Sequence, residues 1–160
     1  MVHTIGVTGS RRGFNGDQQR LITVNDLLIQ IEINDLESPP EFHHGACVGI
    51  DEDMACIAHG LGFRVIAHPP FSSRYLSKIA LSVSDAVLPA KEYIDRNRDI
   101  VLSVNVLFVV PWENEPQEHG GTWNTCRYAE TMNSNYVLFY PNGQVKRVST
   151  HFPFNQPLGD

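Results

Sequence analysis

The chain has 160 residues, enough for one domain with a sizeable core. It is 42% apolar and 19% charged, as globular proteins are, and no apolar run approaches the ~20 residues that span a bilayer. A formal net charge of -6 argues against a surface built for nucleic acid, and the first residues show no basic region leading into a long apolar core, so neither a membrane segment nor a signal peptide is expected.

Residues 3–8 read as a short buried strand. Gly9-Ser-Arg-Arg-Gly-Phe-Asn-Gly16 follows, a turn with glycines, two adjacent cations and a helix cap at Asn15. Residues 17–34 repeat apolar side chains at helical spacing, with Leu21, Val24, Leu28 and Ile31 on the face expected to be buried. Residues 35–40 connect, and Pro39-Pro40 stops any helix. Residues 41–44 form a second strand, residues 45–51 a second glycine-bearing turn, and the next helix carries Met54, Ile57, Ala58 and Leu61 on one face before Gly60 and Gly62 end it.

A third strand, 64–68, is halted by Pro69-Pro70. A short helix near 74–81 and an edge strand near 86–88 come next. Pro89 opens a helix over 90–103. The apolar run 104–110 is the central strand. The glycine pair Gly120-Gly121 then leads into a helix reaching about Asn133, with Thr122 or Asn124 as its cap. Residues 136–140 make a further strand, and Pro141-Asn-Gly143 turns into a last strand over 144–148. Residues 1–150 are expected to form a single domain, and 151–160 a tail.

Alternating strands and helices imply an α/β fold: a mostly parallel twisted sheet, helices on both faces, and an antiparallel hairpin at its C-terminal edge. In such sheets ligands bind beyond the carboxyl ends of the strands, where the strand order reverses. The loops after the first and central strands flank that point. Glycines let a ligand approach the backbone there, and the first amides of the following helix point at it.

Five stretches occur in order: Thr8-Gly-Ser-Arg-Arg-Gly13, Phe42-His-His-Gly-Ala-Cys-Val-Gly-Ile-Asp51, His68-Pro-Pro70, Tyr93-Ile-Asp-Arg-Asn-Arg-Asp-Ile-Val101 and Gly121-Thr-Trp-Asn-Thr-Cys-Arg-Tyr-Ala129. Together they resemble the SLOG superfamily of Rossmann-like nucleotide-binding domains. Its relatives include the lonely-guy phosphoribohydrolases, the DNA-processing protein A fold and sensor domains of antiphage systems. The likeness covers nearly the whole chain and is nearest to small stand-alone members from bacteria and phages. It implies that loops 9–13 and 120–125 hold the phosphates of a nucleotide-derived ligand, and that loop 44–51 approaches its sugar or second phosphate. It also implies a homodimer or larger homo-oligomer. The phosphoribohydrolases carry Pro-Gly-Gly-x-Gly-Thr-x-x-Glu, and the position of that glutamate falls here on Arg127 or Tyr128. Glu130 lies further along the helix and faces elsewhere. This departure argues against their hydrolysis.

The candidate ligand contacts are therefore Gly9, Ser10, Arg11, Arg12, His44, Gly45, Gly49, Asp51, Arg96, Asn97, Gly120, Gly121, Thr122, Trp123 and Thr125. Arg11 and Arg12 form either a charge-assisted phosphate clamp or a solvated loop pair. Ser10 donates to phosphate or caps its own loop. Asp51 accepts from ribose hydroxyls or simply sits where a helix start favours acids. Trp123 stacks on a base, enters a subunit contact or packs in the core. Adjacent strand residues point to opposite faces, so His43 and His44 do not share a metal, and one of them is expected to face the crevice. Cys126 has no histidine beside it in sequence, and no catalytic residue, metal or cofactor is assigned. Cys47, Cys56 and Cys126 suit reduced thiols in a cytoplasm.

The reading is a protein that binds an ADP-ribose-like or cyclic-nucleotide signal, and in a phage would sequester it. The alternative is a nucleotide hydrolase of N-glycosidic or phosphoester bonds, with Asp51 or another carboxylate as base. A dinucleotide oxidoreductase is set aside, since Gly9-Ser-Arg-Arg-Gly13 is not Gly-x-Gly-x-x-Gly.

Overall fold

A computed structural model describes residues 2–34 and 38–149. The expected connector at 35–37 and the tail from 150 onward lie outside the described residues. The elements are β1 (Thr4–Gly9), α1 (Asp17–Ile33), β2 (Glu41–His44), α2 (Ile50–Gly60), β3 (Arg64–Ala67), α3 (Lys78–Ser82), β4 (Ala86–Val87), α4 (Tyr93–Ser103), β5 (Val106–Val110), α5 (Gly121–Thr131), β6 (Tyr136–Phe139) and β7 (Val145–Val148).

The seven strands form one sheet in the order β4-β3-β2-β1-β5-β6-β7. Every pairing is parallel except β6 with β7. This is a Rossmann-like α/β fold, as expected. The direction of winding reverses between β1 and β5, whose ends meet at Gly9 and Val110.

Strand alternation separates two cores. Ile5 and Val7 of β1, Phe108 and Val110 of β5, and Val137 and Phe139 of β6 pack with Leu27 of α1, Ile50 and Met54 of α2, and Ala80 of α3. Leu107, Val109, Tyr136 and Leu138 face the other way, toward Ile100 and Val101 of α4 and Trp123, Cys126 and Ala129 of α5. β5 is buried on both faces, which explains its unbroken apolar run.

Several local expectations need correction. The short third helix starts at Lys78, not near Arg74, because the Ser77 hydroxyl accepts from the Ala80 amide and caps it there. α4 starts at Tyr93 rather than Ala90, with Glu92 as its N-cap. Neither Thr122 nor Asn124 caps α5. Gly120 does, without a side-chain bond. Asn15 likewise yields its place to Gly16.

The largest correction concerns α1. Leu21 is 70% exposed and Leu28 43% exposed. The buried side consists of Gln19, Thr23, Asp26, Leu27 and Gln30. Gln19 Nε2 donates to the carbonyls of Pro111 (2.7 Å) and Phe139 (2.8 Å), and its Oε1 accepts from the Asn15 amide (2.7 Å). Asp26 accepts from both terminal nitrogens of Arg147 on β7, at 2.6 and 3.2 Å. A helical apolar stripe shows that a helix has two faces. It does not say which one turns inward when backbone carbonyls at a sheet end need donors.

Gln19→Leu should therefore cost about 2–4 kcal/mol, because two buried carbonyls lose a donor. Leu21→Gln should stay within about 0.5 kcal/mol of wild type. Urea unfolding of the two variants checks this, and the reverse order would mean that α1 docks through its leucine face.

Candidate functional site

Three strand-to-helix loops meet above the β1–β5 reversal. The Ser10 amide donates to the Val110 carbonyl (3.0 Å), which fixes the β1 loop on the end of β5. The Ser10 carbonyl accepts from the Ile50 amide (2.9 Å), which fixes the same loop on the start of α2. Two glycines permit this approach. A methyl group at Gly9 would lie 2.5 Å from Ile50 Cγ2. One at Gly49, where φ is +90°, would collide with the backbone of Ser10 and Arg11.

Between the loops lies a cavity of about 500 Å³, well within the size of small-molecule sites. Its wall includes Gly9, Ser10, Arg11, Arg12, Gly45, Cys47, Asp51, Tyr93, Arg96, Asn97, Trp112, Glu113, Gly120, Gly121, Thr122 and Trp123.

Two arginines on this wall are held by stacking. The Arg11 guanidinium lies 3.8 Å from the centre of the Tyr75 ring and 6.0 Å from that of Tyr93. Arg12 lies 4.2 Å from the Trp112 ring. Among the described residues neither guanidinium makes an ion pair or donates a hydrogen bond. Stacking steadies the guanidinium plane and leaves its in-plane N–H groups to face solvent or a guest. The start of α5 is equally open. Gly120 offers no side-chain cap, and the amides of Gly121, Thr122 and Trp123 find no acceptor among the described residues. Such amides and such cations suit an anion. Ser10 caps its own loop, its Oγ accepting from the Arg12 amide (3.0 Å), and its hydroxyl hydrogen still has a free direction.

Arg96 is different. It is 5% exposed and donates to the carbonyls of Gly45 and His68, the latter at 3.1 Å, and to Asn97 Oδ1 at 2.7 Å. It reaches the cavity wall, yet its main work is to clamp α4 onto the ends of β2 and β3. Asp51 is buried beside it, and its Oδ2 accepts from the Cys47 amide (3.2 Å). Burial pushes the Asp51 carboxyl up to about 6, against the opposing pull of Arg96. Burial, reinforced by Asp51, also raises the Cys47 thiol.

Three expected contacts stand away from the cavity wall. His44 is fully buried between Ser84 Oγ (2.8 Å) and the Ala46 amide (2.9 Å). Burial lowers it to about 3, so it is a neutral core residue. Gly49 lies beneath the β1 loop. Thr125 turns its hydroxyl to the Gly121 carbonyl (2.7 Å) and lines a neighbouring groove. Nor does His43 face the crevice. It pairs with His68 (2.8 Å) and Glu41 (3.1 Å). Trp123 is not an exposed indole. It is 4% exposed, belongs to the second core and donates to Glu113 Oε1 (2.8 Å). Among the described residues no group of three or more histidines, cysteines or acids could hold a metal.

The aromatic partners of the arginines were not foreseen. Trp112 follows β5, but no spacing marks it as a partner for Arg12. Tyr75 lies in a stretch read as helix, and its placement depends on an antiparallel bridge between Cys47 and Leu76.

The fold has solved counterparts. A molybdenum cofactor binding protein from Rippkaea orientalis is 19% identical, with 86% of this chain and 76% of that chain covered and a TM-score of 0.63. The Moco carrier protein from Chlamydomonas reinhardtii is 22% identical, over 87% of this chain and 76% of that one, with a TM-score of 0.59. A structural-genomics target, TM1055, is 12% identical over 84% and 72%, with a TM-score of 0.60. These likenesses show the shared fold. No family model and no curated protein matches the sequence. Among the described residues no helix is long and apolar enough to cross a membrane.

Asp51 takes a proton more readily in the fold, at about 6, than at its ordinary 3.8. Its contribution to stability is complete below about pH 4 and is lost as pH rises through 6. His44 and His68, lowered to about 3 and about 4, work in the opposite sense and lose stability as pH falls. The comparison with Asp51→Asn isolates the first effect. Between pH 4 and 7 the variant should gain on wild type by about 1–3 kcal/mol in urea unfolding. A difference independent of pH would mean that Asp51 is ionised throughout.

Proposed function

We propose that this chain binds and holds a phosphorylated heterocycle, with the phosphate between the first amides of α5 and the guanidinium groups of Arg11 and Arg12. The observation that carries this reading is the pair of stacked arginines without acidic partners, placed on one cavity with an uncapped helix start. A charge-assisted contact gains most where neither side must first give up a partner. Gly9, Ser10, Gly45, Asn97, Gly120, Gly121 and Thr122 are the proposed accompanying contacts.

The ligand class spans nucleotide derivatives, ADP-ribose-like or cyclic, and extends to the molybdenum cofactor, after which two structural neighbours are named. Membership of the SLOG superfamily and assembly into a homo-oligomer belong to the same reading. Both rest on the sequence resemblance. Holding without turnover suits delivery as well as sequestration, and the phage counter-defence role adds only that the held molecule is a host signal.

A hydrolytic reading has one observation in its favour: Asp51, a buried carboxyl with a raised pKa on the cavity wall. Against it, Asp51 Oδ2 already accepts from Cys47.

Calorimetry with AMP, ADP-ribose, cyclic AMP and isolated molybdenum cofactor tests the proposal. At least one should bind, and Arg11→Ala or Arg12→Ala should weaken it about 10- to 100-fold, as loss of a charge-assisted hydrogen bond does. No binding by any of them, or variants that bind like wild type, would overturn it. Chromatography after incubation should return the bound compound intact, whereas a cleaved product lost in Asp51→Asn would install the hydrolase instead.

A further inference from the structure

Beside the main cavity, a groove of about 220 Å³ runs between α4 and α5. It is lined by Ile94, Asn97, Arg98, Asn124, Thr125 and Tyr128. Ile94, Asn97 and Asn124 also line the main cavity, so the two spaces share a wall.

The two asparagines have settled orientations. Asn97 Oδ1 accepts from Arg96 Nε at 2.7 Å. Asn124 Oδ1 accepts from an Arg127 terminal nitrogen. A guanidinium has only donors, so in each amide the oxygen must face the arginine. Each Nδ2 then points elsewhere, and neither finds an acceptor among the described residues. Arg127 is itself anchored on the carbonyls of Gln117 (2.8 Å) and Glu118 (2.9 Å), so the Asn124 amide is held by a braced partner. The Thr125 hydroxyl donates inward to Gly121. Arg98 lies 4.9 Å from the Tyr128 ring. The groove thus offers donors and one cation, and no carboxylate lines it. Ile94 on one helix and Tyr128 on the other give it apolar walls.

We infer that this groove is a second compartment of the same site, which takes the flat ring of the ligand and selects a ring with carbonyl oxygen at its edge. The Asn97 and Asn124 amide nitrogens donate to that oxygen, while Ile94 and Tyr128 contact the ring. An amino group in the same place would meet donors with a donor and lose both bonds. This rests on the phosphate reading above, since the phosphate holds the other end.

Three probes separate the two ideas: ribose 5-phosphate, AMP and inosine 5′-monophosphate, which differs from AMP in bearing a carbonyl oxygen in place of the amino group. Calorimetry should show ribose 5-phosphate binding in an Arg11-dependent way. Inosine monophosphate should bind more tightly than ribose 5-phosphate, and about tenfold more tightly than AMP. The double variant Asn97→Asp/Asn124→Asp keeps an oxygen for each arginine and replaces the donors with acceptors. It should invert the preference toward AMP, with ribose 5-phosphate reporting what the added charge and the lost Asn97 donor do to the phosphate end. Tyr128→Ala should weaken inosine monophosphate and spare ribose 5-phosphate. If ribose 5-phosphate binds but the ring adds nothing, or the preference survives the double variant, the compartment is wrong and the phosphate reading stands. If none of the three binds, the compartment fails, and the phosphate reading is then decided by ADP-ribose, cyclic AMP and the molybdenum cofactor. A change in sedimenting mass in the double variant would give the groove to a second copy of the chain and also overturn the assignment.

Discussion

The site depends on one backbone contact, the seating of Ser10 and Arg11 on Gly49. The Ser10 carbonyl takes the Ile50 amide, and the Ser10 amide reaches Val110. One residue thereby ties the ends of β1 and β5 to the start of α2. A side chain at Gly49 would need to displace that loop, and its positive φ adds a strain that only glycine escapes. Without this seating Arg11 would not reach Tyr75, and the cavity would lose one wall.

The same contact divides labour between two helix starts that look alike in sequence. α2 and α5 both begin after a glycine with positive φ. At α2 the Ile50 amide is already engaged by the protein, and the Asp51 side chain turns back onto Cys47. At α5 the first amides have no such partner. The arginines divide likewise. Arg96 is buried and bonded to backbone carbonyls, while Arg11 and Arg12 are exposed and held only by rings. A buried guanidinium that gives up its carbonyls for a ligand would leave those acceptors unsatisfied, at about 1–3 kcal/mol each. The stacked pair faces no such cost. The free cations and the free amides line the same cavity.

Much of this was legible in the residues. Val106 to Val110, the glycine pair and the Pro141-Asn-Gly143 turn mark the central strand, the open helix start and the edge hairpin by composition alone. The loop cations stand out because their type and place coincide, and both line the cavity. What was not legible depended on tertiary partners. His44 looked like a crevice residue because it ends a strand, but Ser84, far along the chain, draws it into the core. The stripe on α1 was real, and the sheet-end carbonyls outweighed it. Trp123 follows a glycine pair as an exposed platform would, but it packs in the second core, where Glu113 supplies an acceptor for its indole. Tyr75 and Trp112 could not be assigned, because stacking on an arginine leaves no spacing to read.

The Asp51 carboxyl adds a further constraint on any anionic guest. Its pKa, already raised to about 6 by burial, rises again if a second negative charge enters the same cavity. Binding of an anion and protonation of Asp51 then favour one another, and the coupling is reciprocal. Above pH 6 the guest must either meet a carboxylate or draw a proton onto it, and Arg96 offsets only part of that repulsion because its donors are engaged elsewhere. A phosphate held against the α5 start and the outer arginines, rather than deep beside Asp51 and Cys47, avoids the conflict. Asp51 is buried while Arg11 and Arg12 are exposed, so repulsion from the acid and the free donors of the cations favour the same placement.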